Sequence, residues 1–216
     1  MMLSERASFE LAHRVRVGTG APLGEVFSFL SGLYFRGKLT YARAFANPLD
    51  GDAGVFVITP TDGLCPADEL VDLARLRRFA TVDIEGDDPR YREPLDRDAR
   101  RLAGRIGESG EVVLLGSIAT GKYVDPLLAV LGERLRFPAD FVGRGDMSRG
   151  GLLLRCARAG TELTYIGVRD AVRRGLDRRA WRPRSDEPRR RQACAPGGRP
   201  LRASRPARDS SRRRHG

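Results

Sequence analysis

Beyond Asp177 the chain holds a single Val/Leu/Ile residue, Leu201, and a single aromatic, Trp181. Arg, Pro, Ser, Ala and Gly dominate there, with arginine triplets at 189–191 and 212–214. Such a stretch cannot bury enough apolar surface to offset the entropy of ordering it. The sequence therefore divides into a folded domain at 1–168, its core at about 12–168, and a disordered Arg/Pro-rich tail at 169–216.

Charge follows the same division. Residues 169–216 carry 17 Arg and 5 acidic residues, a net of +12, whereas residues 1–168 carry 22 basic and 23 acidic residues, a net of −1; the whole chain is +11. The domain itself is balanced, so the total is no argument that it binds nucleic acid. Three readings of the tail stay open: a nucleic-acid-binding arm, a segment without a dedicated partner, and out-of-frame translation of GC-rich DNA. Lys38 and Lys122 are the only lysines, a bias that fits a GC-rich genome.

Short apolar runs alternate with helical stretches. Strands are expected at Ala12–Val17, Gly54–Thr59, Thr81–Glu85, Glu111–Gly116 and Glu162–Val168. Helices are expected at Leu30–Ala46, Pro66–Ala80, Leu95–Ile106, Tyr123–Leu131 and Gly150–Arg158. The run Val55–Ile58, bounded by turn residues, suits a strand buried on both faces. The alternation predicts a three-layer α/β fold with a mostly parallel sheet and helices on both faces. Ligands of such sheets sit beyond the carboxyl ends of the strands, so the loops after Val17, Ile58 and Leu115 draw attention.

Several chemistries are disfavoured. Cys65, Cys156 and Cys194 have neither metal-ligand spacing nor a paired framework, and His13 and His215 are the only histidines. No metal, no cofactor and no His-based triad is expected. No apolar stretch reaches the ~18–20 residues of a membrane span. A cytoplasmic protein without membrane partners is the expectation.

The most distinctive segment runs from Phe137 to Arg155, with Gly143, Arg144, Gly145, Asp146, Ser148, Arg149, Gly150 and Gly151 ahead of an apolar helix. Ser148 is a candidate N-cap. A helix N-terminus presents free amides, and Arg144 and Arg149 suit a phosphate or carboxylate. The plainer alternative is a turn whose Arg and Asp pair with each other. Gly18, Thr19 and Gly20 open a tight loop after the first expected strand; it approaches a dinucleotide fingerprint, with the third glycine one position late. Tyr34 and Arg36, with Lys38, lie near a helix start. The competing reading there is a core aromatic beside solvated charges. Asp62 stands in an Asp-Gly turn at a strand's carboxyl end, and Ser117 and Tyr123 follow the strand ending at Leu115. Asp62 and Asp146 are the candidate general bases.

The order of these pieces resembles the YaaA-like family. The carriers are Ser31-Gly32-Leu33-Tyr34-Phe35-Arg36 with Tyr41-Ala42, the run Val55–Thr59 leading into Asp62-Gly63-Leu64, the stretch Leu114-Leu115-Gly116 with Tyr123 and Pro126-Leu127-Leu128, and the Gly-rich segment Gly143–Leu154. Gly18-Thr19-Gly20 replaces the family's Cys-Ser opening, and Thr59-Pro60-Thr61-Asp62 its Ser-Ala. The resemblance implies an α/β protein with a DNA-associated function, in protection or base modification. The expected partner is a nucleotide or nucleic acid. The alternatives are an enzyme acting on a small phosphorylated or nucleotide-sugar metabolite, and a binding module without catalysis.

Overall fold

The computed structural model describes residues 8–49, 51, 53–85 and 87–171. The expected tail beyond Ala171 lies outside them. The folded part reaches past 168, because Ala171 is buried in the main core beside Val168.

The three-layer parallel sheet is not there. The protein is mainly helical, with three small sheets of two or three strands, mostly antiparallel. The elements are α1 (Glu10–Arg16), β1 (Ala21–Pro22), α2 (Leu23–Phe45), β2 (Phe56–Ile58), β3 (Leu64–Pro66), β4 (Leu70–Val71), α3 (Leu73–Phe79), α4 (Pro89–Arg105), β5 (Val112–Val113), α5 (Gly121–Leu131), β6 (Leu135–Pro138), α6 (Asp146–Ala159) and β7 (Tyr165–Gly167).

The corrections have local causes. The segment read as a first strand is α1: Leu11, Ala12 and Val15 are its buried residues, and their spacing lies on one helical face. The run read as a buried parallel strand is one arm of an antiparallel hairpin, β2 against β3, with Val57 opposite Cys65. Its loop closes because Thr59 N donates to Gly63 O, the Thr59 hydroxyl accepts from Asp62 N, and Gly63 takes φ +71°. The expected helix from Pro66 shrinks to α3, whose N-cap Asp72 accepts from Arg75 N. Leu70–Val71 pairs with Ala21–Pro22 instead. No strand forms at Thr81–Glu85.

One parallel pair survives. β5 runs parallel to β6, with Val112 opposite Leu135, and β7 adds to β6 antiparallel, with Phe137 opposite Ile166. The carboxyl ends of β5 and β6 therefore open on one side, toward the loops after Val113 and after Pro138.

Two apolar clusters hold the fold. One gathers Tyr41, Tyr91, Leu95, Leu135, Phe137, Phe141 and Leu153. The other gathers Leu11, Val15, Leu23, Val26, Val71, Leu76 and Phe79. α2 serves both, giving Tyr34 and Tyr41 to the first and Val26 and Leu39 to the second. It is bent at Gly32, where φ is 66° and ψ −145°. In the first cluster the Tyr41 hydroxyl accepts from Leu163 N at 2.7 Å and pairs with the Tyr165 hydroxyl at 2.7 Å.

Candidate functional site

Glycine positions the candidate site. α2 and α6 cross where Gly37 meets Gly150: a Cβ on Gly37 would lie 2.7 Å from the Gly150 carbonyl oxygen, and one on Gly150 would lie 2.9 Å from the Tyr34 Cα. The backbones touch there, so side chains beside and one turn before these glycines gather at the crossing. Tyr34 and Lys38 come from α2; Asp146 and Arg149 come from α6.

Tyr34 ties this crossing to the carboxyl edge of β5 and β6. Its hydroxyl donates to the carbonyl of Leu115 at 3.1 Å, and its ring meets Phe141 edge-on at 6.4 Å. Burial raises its pKa, against the lowering influence of Arg149. Lys38 is one helical turn further on. Its Nζ lies 4.6 Å from the centre of the Tyr34 ring and 5.1 Å from that of Phe35. Among the described residues it forms no hydrogen bond or ion pair. Burial lowers its pKa, and the Asp146 carboxylate pulls the other way.

The two loop arginines turn back on their own segment. Arg149 donates from Nε and Nη2 to the Phe141 carbonyl at 3.2 and 3.0 Å, sits 5.4 Å from the Phe141 ring, and comes within 3.7 Å of Asp146. Arg144 donates to the Asp140 carbonyl at 2.8 Å and to Ser148 Oγ at 3.4 Å. Both guanidiniums thus brace residues 139–148. Arg144, Asp146 and Ser148 are exposed. Ser148 lies inside α6, whose N-cap is Gly145, so the expected serine cap is absent.

Ser117, half-buried after β5, accepts from Ala119 N at 3.2 Å. Tyr123 is half-buried on α5 with Lys122 Nζ 5.3 Å over its ring. Arg36 is exposed on α2.

The remaining candidates stand elsewhere. Gly18, Thr19 and Gly20 line an open depression of about 410 Å³ with Val71, Asp72, Arg75 and Arg78. Asp62 reaches this wall through two arginines, accepting from Arg75 Nε at 2.6 Å and from Arg78 at 3.1 Å. Arg75 also donates to Glu69 at 2.5 Å and to the buried Cys65 Sγ at 3.2 Å. Burial would raise the Asp62 pKa; the Thr61 hydroxyl and the Arg75 and Arg78 guanidiniums outweigh it and hold the carboxyl below its ordinary value. Burial of Cys65 raises its thiol pKa despite Arg75.

The expected single cleft is thus distributed over two places. Tyr34, Asp146 and Arg149 come together; Gly18–Gly20 and Asp62 come together; none of the contacts described for the first three involves the others. Sequence reasoning gave Lys38 a place beside Tyr34 but did not single it out, and it read Arg75 only as a basic residue near a helix end. The signal for Lys38 was available: a lysine four residues after a tyrosine, in a chain with only one other lysine, Lys122. No family model matches the chain, and no curated protein or solved structure matches it either.

Among the described residues, no group of three or more His, Cys, Asp or Glu is placed to hold a metal ion, and no helix is long and apolar enough to cross a membrane.

Proposed function

We propose that this protein binds a nucleotide or a related phosphorylated metabolite in the crevice between α2 and α6, at the carboxyl ends of β5 and β6. The observation that carries the reading is the Lys38 amine, which lies against two ring faces, partly out of water, without a bonded anion among the described residues. Burial makes a cation there costly, the two ring faces offset part of that cost, and a ligand phosphate offsets more. The neighbouring Arg149 adds positive charge, and Asp146 stands ready to accept a hydroxyl or base N–H. The location agrees with where parallel strands present ligands.

The depression beside Gly18–Gly20 suits an anion less well. Asp62, Glu69 and Asp72 there outnumber Arg75 and Arg78, and Arg75 already has four partners. A nucleic-acid end would offer the crevice the same phosphate, in keeping with the DNA-associated role that the YaaA-like resemblance implies. The sparse cysteines fit a cytoplasmic setting.

The test is titration calorimetry of the full chain with AMP, GMP and inorganic phosphate. Lys38→Met should weaken binding on the order of tenfold, the loss of one charge-assisted contact. Lys38→Arg should keep part of the affinity. Equal binding by wild type and Lys38→Met would place the affinity elsewhere in the chain and remove this reading.

A further inference from the structure

The other lysine of the chain closes a second arrangement. Gly116, Gly121 and Lys122 stand at the spacing Gly-x-x-x-x-Gly-Lys, with Ser117-Ile118-Ala119-Thr120 between the glycines. In phosphate-binding loops this spacing lets backbone amides wrap a phosphate chain and brings a lysine to its far end. The spacing carries weight only between a strand and a helix. Here it has that place. The parallel strand β5 precedes it, with Leu114 N bonded to Arg136 O of β6, and α5 begins at Gly121. An open helix start says nothing alone, since every helix has one; the two glycines and the lysine, at the end of a parallel strand, set this one apart.

We propose that residues 116–122 hold a phosphate chain, and that the ligand of the crevice is therefore a nucleoside diphosphate or triphosphate. The inference rests on the crevice reading above for the Lys38 contact, and on the loop for the added phosphates. The Tyr34 hydroxyl joins the two, since it bonds the Leu115 carbonyl, next to the first glycine of the loop.

The loop has donors to give. Among the amides of residues 116–120, only that of Ala119 has a described partner, Ser117 Oγ. Thr120, at the N-cap of α5, makes no side-chain cap bond. Lys122 Nζ lies 5.3 Å over the Tyr123 ring and has no ion pair among the described residues. A ring face favours the charged ammonium, the form that meets phosphate. Tyr123 stands where the full motif carries a Ser or Thr whose hydroxyl goes to magnesium. The loop lacks that hydroxyl and meets phosphate through amides and the ammonium. One carboxylate opposes the anion: Asp125 folds back on Gly121, where a Cβ would collide with its Oδ2.

The full chain, as wild type, Lys122→Met and Asp125→Asn, is titrated with AMP, ADP and ATP in EDTA by calorimetry. Wild type should bind ADP on the order of tenfold more tightly than AMP, the worth of one further charge-assisted contact. Lys122→Met should lose that preference. Asp125→Asn should raise the ADP affinity about two- to fivefold, the effect of one charge near a helix start. The arginines of 172–216 are the same in every variant, so any phosphate they attract cancels in the comparison. An ADP preference equal in wild type and Lys122→Met, or no preference in wild type, overturns the loop, while weaker AMP binding by Lys38→Met would still support the crevice. Lys122-dependent ADP binding that Lys38→Met leaves untouched keeps the loop as a phosphate site and overturns the crevice reading. If Lys122→Met does not fold, Asp125→Asn decides, because misfolding cannot tighten binding; no gain there overturns the loop.

Discussion

The Gly37 Cα and the Gly150 carbonyl stand so close that a methyl group on Gly37 would lie 2.7 Å from that oxygen. Everything assigned to the α2–α6 crevice depends on this approach. A larger residue at either position separates Tyr34 and Lys38 from Asp146 and Arg149.

Gly37→Ala and Gly150→Ala should each destabilise by about 1–3 kcal/mol, because the new atom meets backbone that cannot swing aside. Gly104, in α4, has nothing within 4 Å of the corresponding position. Gly104→Ala should stabilise by about 0.5–1 kcal/mol through the unfolded chain and helix propensity. Urea midpoints of the three variants test the crossing. Equal shifts at all three positions would show that the two helices do not meet through these glycines.

Asp62 should make stability depend on acid. Its folded pKa lies below the ordinary value of about 4. Its contribution is therefore present at neutral pH and fades as pH falls through the folded value. Both side chains are largely shielded, Asp62 at 19% and Arg75 at 17% exposure, so the pair is not a solvent-screened surface contact. Asp62→Asn should cost about 1–3 kcal/mol at pH 7, and the gap to wild type should narrow as acid protonates Asp62, below the ordinary carboxylate range. Denaturant curves at pH 7 and through the acid range decide it; a gap of constant size means the carboxylate charge contributes nothing.

Arg149 should act as a brace. Its two bonds to the Phe141 carbonyl fix the turn in which Val142 N donates to Ala139 O and Arg144 N to Phe141 O. Arg149→Ala should accelerate hydrogen exchange of the Val142 and Arg144 amides on the order of tenfold, as expected when about one charge-assisted bond is lost. The Leu114 amide, bonded to Arg136 O in the neighbouring strand pair, should exchange at its original rate. Unchanged protection at Val142 and Arg144 would mean that the turn stands without the guanidinium.

The helices of the second half were readable because their apolar residues recur at helical spacing. In α4, Leu95 and Ala99 are four apart and both are buried, whereas the expected helix at Leu95–Ile106 left out the first turns, which carry the buried Tyr91. α1 was misread because Val15 and Val17 alternate like a strand, yet Val17 is exposed just past the helix end. Strand partners were beyond reach: nothing in Val55–Ile58 tells a parallel neighbour from the returning arm of its own hairpin. The turn that decides between them lies in Thr59 and Gly63, where a side-chain hydroxyl and a positive φ act together.

The site was partly legible for a related reason. The rule that ligands gather at the carboxyl ends of parallel strands brought the loop after Leu115 to notice, where one parallel pair does exist; the loops after Val17 and Ile58, named by the same rule, follow a helix and a hairpin strand instead. Glycines and arginines at 143–149 looked like an anion grip, but an arginine can satisfy a carbonyl of its own turn equally well. Composition cannot separate the two uses. Lys38 stood out only once its amine was seen against two rings.

A single bent helix feeds side chains into both apolar clusters, with Val26 and Leu39 on one side and Tyr34 and Tyr41 on the other. α2 cannot leave its place without opening both. Heat or denaturant should therefore meet one cooperative unit, and damage in the packing around Phe79 should be felt by the tyrosine beneath Lys38.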